Sequence, residues 1–598
     1  MRSRLARAFL GGPASRWDWI LFALVAGACY VTFQHGDILT TGTNSLAYLQ
    51  GHFSDFYDYN ASIGVSAAYL PSTYLVFALW NLPLWFLGFA RQASAATPEL
   101  IAVLWYKLLP TLFYFATAVV VARVARQLGL GERKSRLSAF VWLTTPIAFY
   151  SQFIFGQYDS LSVFLVLLGL YFYYRKRLLH FAFALGLAFT FKYFSLVLFV
   201  PLLLLAEKRP LRILERAAVF IGPALLEIAF YLPSPAFRTS VFVAPPWTGY
   251  LWKTTLWTGY FDIQVVPLLW VLTCAWAYFV EPKGTRDGVH WSLYFANISM
   301  FLLFGLSMFH PQWLLLATPF WLLSTMLHRK ADIFLGLDIA MMLFFILFSV
   351  TFHDRDVDQQ LFSLGILRRI AIPVLATATP IRDFFFLKDA SLPFTLFSAL
   401  VLIQAVFKHP RNYLAKPSRS SLPSPVLIRT RFLLGIGLFV IPAVTSLVLA
   451  LNSPPPFFTT AKGEFFGIGP MTTGRSARQV FLAKTATITR IDFLPGKYEP
   501  TTQGQLTLRL LDPASDIVLF ERQVDAAEVV DATYYQVRLP ALRVSPGRRY
   551  LLEFEAGNSP GGALTLYRTA ISDLGGSHYA VVDGVKQSYD LVIRLYGR

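Results

Sequence analysis

The sequence predicts a polytopic α-helical membrane protein of about 13 crossings, with an all-β sandwich of jelly-roll type at its C-terminal end. Three observations carry this. The chain is 55% hydrophobic and only 14% charged, a balance far from that of an ordinary soluble domain. Apolar runs of the roughly 20 residues that a bilayer core demands recur from Trp17 to Asn452. Beyond Ser453-Pro454-Pro455-Pro456 these runs give way to short alternating segments separated by turn residues.

Taken in order, Arg2, Arg4, Arg7 and Arg16 place the N-terminus in the cytoplasm, so the run 17–33 ends on the outer face. No small-residue cleavage site follows Tyr30, and the run is read as a retained first helix. The next apolar run, 69–90, is not counted as a crossing. If it crossed, the run 101–122 would strand Arg123 through Arg136 outside, against the charge bias. It contains Pro71, Asn81 and Pro83 and is expected to lie in the outer leaflet, within a long first outer loop spanning 34–100.

The runs 101–122, 137–155 and 158–174 then cross in turn, the last returning to Arg175-Lys176-Arg177. The run 181–206 has basic flanks at both ends. At about 1.5 Å per residue it is too short for two full spans, which predicts two short helices turning near Lys192. Further crossings are expected at 217–232, 265–280, 293–309, 313–327, 333–352, 392–407 and 432–451. The odd total puts the C-terminus outside. Strands are expected at 505–510, 517–521, 535–539, 549–555, 564–568 and 591–596, with turn chemistry such as Asp512-Pro513 and Pro546-Gly547 between them. The chain is thus divided into a membrane domain, 1–452, and an extracytoplasmic sandwich, 453–598.

The formal charge of +18 does not point to nucleic acid, because the Lys and Arg cluster between hydrophobic runs, where they set topology and meet lipid headgroups. The two cysteines, Cys29 and Cys274, lie inside apolar runs and form no disulfide framework. The chain lacks a Walker loop, a dinucleotide glycine fingerprint, a His-Glu-x-x-His pair and a Gly-x-Ser-x-Gly elbow. Nucleotides and a metal are therefore not expected in the chemistry.

Ionisable groups at the mouths of apolar runs mark functional sites. Asp37, in Gln34-His35-Gly36-Asp37, follows the first run; His52, Asp55 and Asp58 lie further along the same loop beside Phe56, Tyr57 and Tyr59. Gly156-Gln157-Tyr158-Asp159-Ser160 joins two runs with almost no loop, Lys192 lies at a hairpin tip, and His310-Pro311-Gln312-Trp313 makes another tight turn. Plainer roles exist for each. Asp159 suits a helix cap, Lys192 suits snorkelling to headgroups, His310 suits interfacial packing, and Asp37, Asp55 and Asp58 suit solvated loops. What favours chemistry is convergence, because the topology brings all of them to one membrane face.

In order and spacing these motifs resemble the C-type membrane glycosyltransferases, the GT-C superfamily. Within it they are most similar to the mannosyltransferases that add the first mannose of the glycosylphosphatidylinositol anchor, and to their bacterial relatives. The family's Asp-x-Asp stands here as His35-Gly36-Asp37, its following glycine as Gly51, and its Tyr-x-x-Pro-like segment as Tyr69-Leu70-Pro71-Ser72-Thr73-Tyr74. Its Gly-Asn-x-Asp-Ser stands as Gly156-Gln157-Tyr158-Asp159-Ser160, its hairpin lysine as Lys192, and its Ser-Gln-Tyr turn as Pro311-Gln312-Trp313. The first acid of the family motif is His35 here, so only Asp37 carries over as the catalytic carboxylate.

The resemblance implies an inverting transfer from a polyprenyl-phosphate sugar, mannose favoured, to a glycan or glycolipid acceptor on the outer face of the plasma membrane. That donor is a substrate, and no further cofactor or metal is implied. Asp37 would act as general base, and Lys192 would stabilise the departing phosphate, with His310 or Lys107 as helpers. Asp159 and Gln157 would hold sugar hydroxyls or orient Asp37. Asp55, Asp58, Gln312, Trp313 and Tyr69 would complete the sugar and acceptor surface.

The aromatic loop 231–262, with Trp247, Tyr250, Trp252, Lys253, Trp257 and Tyr260, would border the cavity or form an interfacial belt. The segment 353–389, with Arg368, Arg369 and Phe384-Phe385-Phe386, suits an amphipathic helix guiding the lipid donor. The sandwich resembles appended carbohydrate-binding modules. A transporter or flippase of a lipid-linked sugar is the rival class, but the chain lacks paired halves and its polar groups gather on one face. A sugar-binding receptor would leave Asp37, Asp159 and Lys192 without a purpose.

Overall fold

Helices that end partway through apolar runs are the dominant feature of the first three-quarters of the chain. The computed structural model describes residues 15–63, 65, 67–89, 100–243, 249, 253–353, 357, 361, 381, 384, 385, 387, 389–413, 423–452, 456–460, 465–497, 504–515, 517–529, 534–557, 564–569 and 578–597. The chain falls into two units, Met1–Thr445 and Ser446–Arg598. The first is helical, and the second is built from strands.

The helix Arg16–Thr32 opens on a reciprocal capping box between Ser15 and Asp18. It ends at Thr32, and the chain turns by 69° into Gly36–Leu49. A second break of 54° separates Glu132–Leu143 from Pro146–Phe155, where Pro146 holds Thr145 in the extended region. The expected hairpin is present as Leu178–Phe191 and Ser195–Ala206, with Lys192 in the break. Three helices, Leu100–Gln127, Ala331–Phe352 and Pro425–Thr445, are long and apolar enough to cross a membrane, or up to five spans if each bent pair counts as one. Five further apolar helices are only 10–17 residues long. Among the described residues, length and composition therefore support fewer crossings than the roughly 13 expected, because several apolar runs are divided into pieces shorter than a bilayer core.

A break frees backbone carbonyls, which in apolar surroundings must find donors. Buried or half-buried cations supply them. Lys107 Nζ donates to Tyr30 O and Phe33 O at the end of the first helix. Lys208 Nζ donates to Leu204 O at 2.8 Å and Ala277 O at 3.1 Å, closing the ends of Ser195–Ala206 and Val265–Phe279. Arg431 Nη2 donates to Val141 O at 2.6 Å while its Nη1 binds Asp338 at 2.7 Å. Lys408 Nζ also reaches into the middle of Thr318–Leu327, to Trp321 O and Thr325 Oγ1, both at 2.7 Å. Cations near helix C-termini also complement the dipole.

The run 69–90 forms the helix Pro71–Phe86. It buries Phe77 and Leu84 against Ile38, Leu46, Ala102 and Tyr106. The indoles of Trp80 and Trp105 stack at 4.8 Å, each N–H donating to the other residue's carbonyl at 2.9 Å. Its first turn is fixed by Glu227, which accepts from the Ser72 backbone N–H at 3.1 Å and from the Ser72 hydroxyl.

In the second unit, one sheet orders Tyr535–Arg543, Thr487–Phe493, Ile593–Tyr596 and Phe458–Thr459. A second orders Val585–Lys586, Tyr579–Val582, Ser476–Leu482, Arg549–Ala556, Gln505–Asp512 and Ile517–Asp525, and a third sets Leu564–Thr569 between Phe465–Gly467 and Pro495–Lys497. All pairings between these strands are antiparallel. Alternation sends Leu506, Leu508 and Leu510 inward from the second sheet to share a core with Ile491, Phe493 and Leu595 from the first. The six expected strands are all present with ends shifted by up to four residues.

Close helix packing in the first unit depends on Gly186, where a Cβ would lie 2.2 Å from the backbone oxygen of Phe220. Gly186→Ala should therefore force Leu178–Phe191 away from Pro210–Tyr231, at a cost of about 1–3 kcal/mol. Tryptophan-fluorescence melting of the detergent-solubilised protein checks this. An unchanged midpoint would contradict the contact.

Candidate functional site

Each site residue stands at or just beyond a break in the helical chain. Asp37 lies in the first turn of Gly36–Asn44, a position that favours a carboxylate. The cap of that helix is His35, whose Nδ1 accepts from the Asp37 backbone N–H at 3.2 Å. The same nitrogen lies 3.6 Å from Asp37 Oδ2, and the ring stacks on Phe155 at 4.0 Å. His35 thus caps the helix that carries Asp37 and packs beside its carboxylate.

Gln157 follows a π-helical turn, Tyr150–Phe155, that ends on Gly156 in the left-handed region at φ 62°. Its Nε2 donates to Asp37 Oδ2 at 2.9 Å and to the Tyr69 hydroxyl at 3.2 Å. Its Oε1 accepts from Gln312 Nε2 at 2.8 Å and from Lys192 Nζ at 3.5 Å. Gln312, on the 3-10 turn Pro311–Leu316, also places its Nε2 3.4 Å from Asp37 Oδ2.

Lys192 Nζ lies 3.5 Å from Asp159 Oδ1, both side chains being almost wholly buried. Its ammonium sits 4.7 Å from the ring centres of Tyr69 and Tyr158 and 5.9 Å from that of Trp313, an aromatic cage suited to a cation. Burial, then the charge of Asp37, pushes the Tyr69 phenol well above its ordinary value, so it stands as a neutral hydroxyl. Asp159 begins the helix Asp159–Tyr174. Its Oδ2, like Gln312 Oε1, is a buried acceptor without a hydrogen-bond partner among the described residues.

The structure therefore gathers Asp37, Tyr69, Gln157, Asp159, Lys192, Gln312 and Trp313 into one cluster. His310 joins its edge, with its ring 5.1 Å from Trp313 and 4.9 Å from His353. Asp55 and Asp58 make contacts outside this cluster instead. Asp55 pairs with His52 at 2.9 Å, and Asp58 accepts from the Ala236 N–H at 3.2 Å. Lys107 serves as a helix cap, so its expected role as a phosphate helper does not fit its two carbonyl partners. Trp257 and Tyr260 are strongly exposed around the short hairpin Thr255–Trp257 with Asp262–Gln264. Trp247, Tyr250, Trp252, Arg368, Arg369 and Phe386 lie outside the described residues.

Two contributors escaped the sequence reading. His35 was legible only as a missing acid, although a histidine directly before the first residue of a helix is a side-chain acceptor for that helix's free N–H groups. Glu227 carried no local signal, because Ser72 is 155 residues away in the chain.

No protein-family model matches the chain, and comparison with curated proteins returns no significant match. Among solved structures, ArnT from Cupriavidus metallidurans bound to undecaprenyl phosphate aligns with 14% identity and a TM-score of 0.35, covering 75% of this chain and 84% of that one. The same protein in the apo state gives 13% identity and a TM-score of 0.33, over 69% of this chain and 77% of that one. The cryo-EM structure of arabinosyltransferase EmbB from Mycobacterium smegmatis gives 11% and 0.33, over 93% of this chain and 66% of that one. Superposition at these scores is partial, and the chemistry of the site is read from its own side chains.

Gly156 holds a backbone conformation that a Cβ disfavours, so Gly156→Ala should cost about 1–2 kcal/mol and loosen the turn that presents Gln157. A lowered melting midpoint of the purified protein is the expected result.

Proposed function

We propose that the protein is an integral-membrane inverting glycosyltransferase of the C-type superfamily. It moves a sugar, mannose favoured, from a polyprenyl-phosphate carrier to a lipid-linked or polymeric glycan acceptor on the outer face of the plasma membrane. The N-terminus is then cytoplasmic and the strand-built unit extracytoplasmic, where it is suited to holding the glycan. The observation that carries this reading is a half-open carboxylate and a caged ammonium held in one site by a single amide. The Asp37 side chain is 37% exposed, while Gln157 bonds both it and Lys192.

In the reaction, the acceptor hydroxyl attacks the anomeric carbon and passes its proton to the Asp37 carboxylate. The bond between that carbon and the phosphate oxygen breaks, and the electron pair leaves with the polyprenyl phosphate from the opposite face. A base need not be strong in the ground state, since the hydroxyl becomes acidic only as the new bond forms. Charge grows on the departing phosphate, and Lys192 stabilises it more in the transition state than before it, with His310 at the edge of the cage. Asp159 Oδ2 and Gln312 Oε1, still open as acceptors, are suited to donating groups such as sugar hydroxyls. Trp313 and Tyr69 offer aromatic faces to a sugar.

Proteoliposomes supplied with radiolabelled polyprenyl-phosphate sugars and glycolipid acceptors test this. Asp37→Asn should reduce transfer by about 10²–10⁴-fold, and full transfer by that variant would remove Asp37 as the base. Lys192→Met should lower kcat by about 10²–10³-fold. Movement of the lipid sugar across the bilayer without a glycosidic product would instead mark a flippase.

A further inference from the structure

Gln157 has its hydrogen-bonding capacity consumed inside the protein. An amide offers two N–H donors and one carbonyl oxygen with two lone pairs. The donors go to Asp37 Oδ2 and the Tyr69 hydroxyl, and the lone pairs to Gln312 Nε2 and Lys192 Nζ. The side chain is also 1% exposed. Nothing remains with which to hold a sugar. Asp159 and Gln312, by contrast, each keep an open buried acceptor.

The orientation of this amide is set by charge. Its N–H end faces the carboxylate and its carbonyl end faces the ammonium, so the dipole is aligned between Asp37 and Lys192. A neutral group bonded to both keeps them apart while fixing each against the other. Were the two in direct contact, the ammonium would occupy the carboxylate oxygens that must receive the proton. We propose that Gln157 is a positioning residue. It fixes Asp37 through Oδ2, leaves the other carboxylate oxygen to the acceptor, and holds base and phosphate-binding cation as a separated pair. This rests on the glycosyltransferase reading above.

Among the described residues, the charged and titratable groups facing Asp37 are His35 beside it, Tyr69 ahead of the Pro71–Phe86 helix, Tyr74 on that helix, and Asp159 and Lys192 behind Gln157. Replacing the amide by an acid sets a second carboxylate 2.9 Å from Asp37, and two carboxylates sharing a site release their protons in separated steps. The test compares wild type, Gln157→Glu, Gln157→Leu and Asp37→Asn in proteoliposomes with polyprenyl-phosphate mannose across pH 5 to 9, about two units either side of neutrality.

Gln157→Glu should move the acid limb of the kcat profile upward by about one pH unit or more. Gln157→Leu should lower kcat about 100-fold, with the KM for the lipid donor within about threefold of wild type. The shift in Gln157→Glu is also read without turnover, from the pH dependence of the carboxylate infrared band that Asp37→Asn removes. That measurement stands even if Gln157→Leu does not fold or another donor sugar is required. An unmoved acid limb and infrared band in Gln157→Glu would overturn the inference. So would a raised KM at unchanged kcat in Gln157→Leu, which marks a sugar-binding residue. Absence of any glycosidic product from wild type with every polyprenyl-phosphate sugar supplied defeats the glycosyltransferase reading itself, whereas an inactive Asp37→Asn beside unperturbed Gln157 variants defeats only the positioning role.

Discussion

Backbone carbonyls released where a helix stops must be bonded if the surroundings are apolar, and this constraint shapes the whole helical unit. The chain meets it with cations drawn from distant helices. Lys107 closes the first helix, Lys208 closes two helix ends at once, and Arg431 closes Glu132–Leu143 while bound to Asp338. Lys107, Arg431 and the Lys208 bond to Ala277 O tie together segments far apart in sequence, so satisfying the breaks also sets the packing.

The breaks are where the functional side chains are. Asp37 follows the 69° turn that Lys107 secures, Gln157 follows a π-turn closed by Gly156, Lys192 occupies the gap of a helical hairpin, and Gln312 rides on a 3-10 turn. A side chain within a continuous helix is committed to its face of that helix. At a break the backbone direction changes, and polar groups from four segments turn toward one point. The cost of stopping the helices in apolar surroundings is offset by cations elsewhere, and the gain is a polar cluster bordered by aromatic rings.

Much of this was legible along the chain. The placement of Asp37, Gln157, Asp159, Lys192 and Gln312 at the ends of apolar runs singled them out, because ionisable and amide groups are expensive there unless used. The two short helices around Lys192 followed from length alone. Six strands of the second unit followed from alternation, whereas Ser476–Leu482, Thr487–Phe493 and Tyr579–Val582 were not foreseen. Lys107 shows the limit. Inside the run 101–122 it was expected to help Lys192 with a phosphate, whereas it is spent on Tyr30 O and Phe33 O. Asp55 and Asp58, equally acidic and close to Asp37 in sequence, point their bonds at His52 and Ala236.

By itself the sequence determined the helical character of the first unit, the break at Lys192, six strands of the second unit and the set of polar residues from which a site is drawn. These depend on local quantities: run length, charge bias, alternation, and the presence of proline or glycine. Tertiary structure alone decided how those residues are used. Whether a lysine caps a carbonyl or faces a carboxylate, and whether an amide is left open or saturated, depends on partners up to several hundred residues away. Gln157 is the clearest instance, since its four bonds come from four other segments and no local pattern distinguishes it from Gln312.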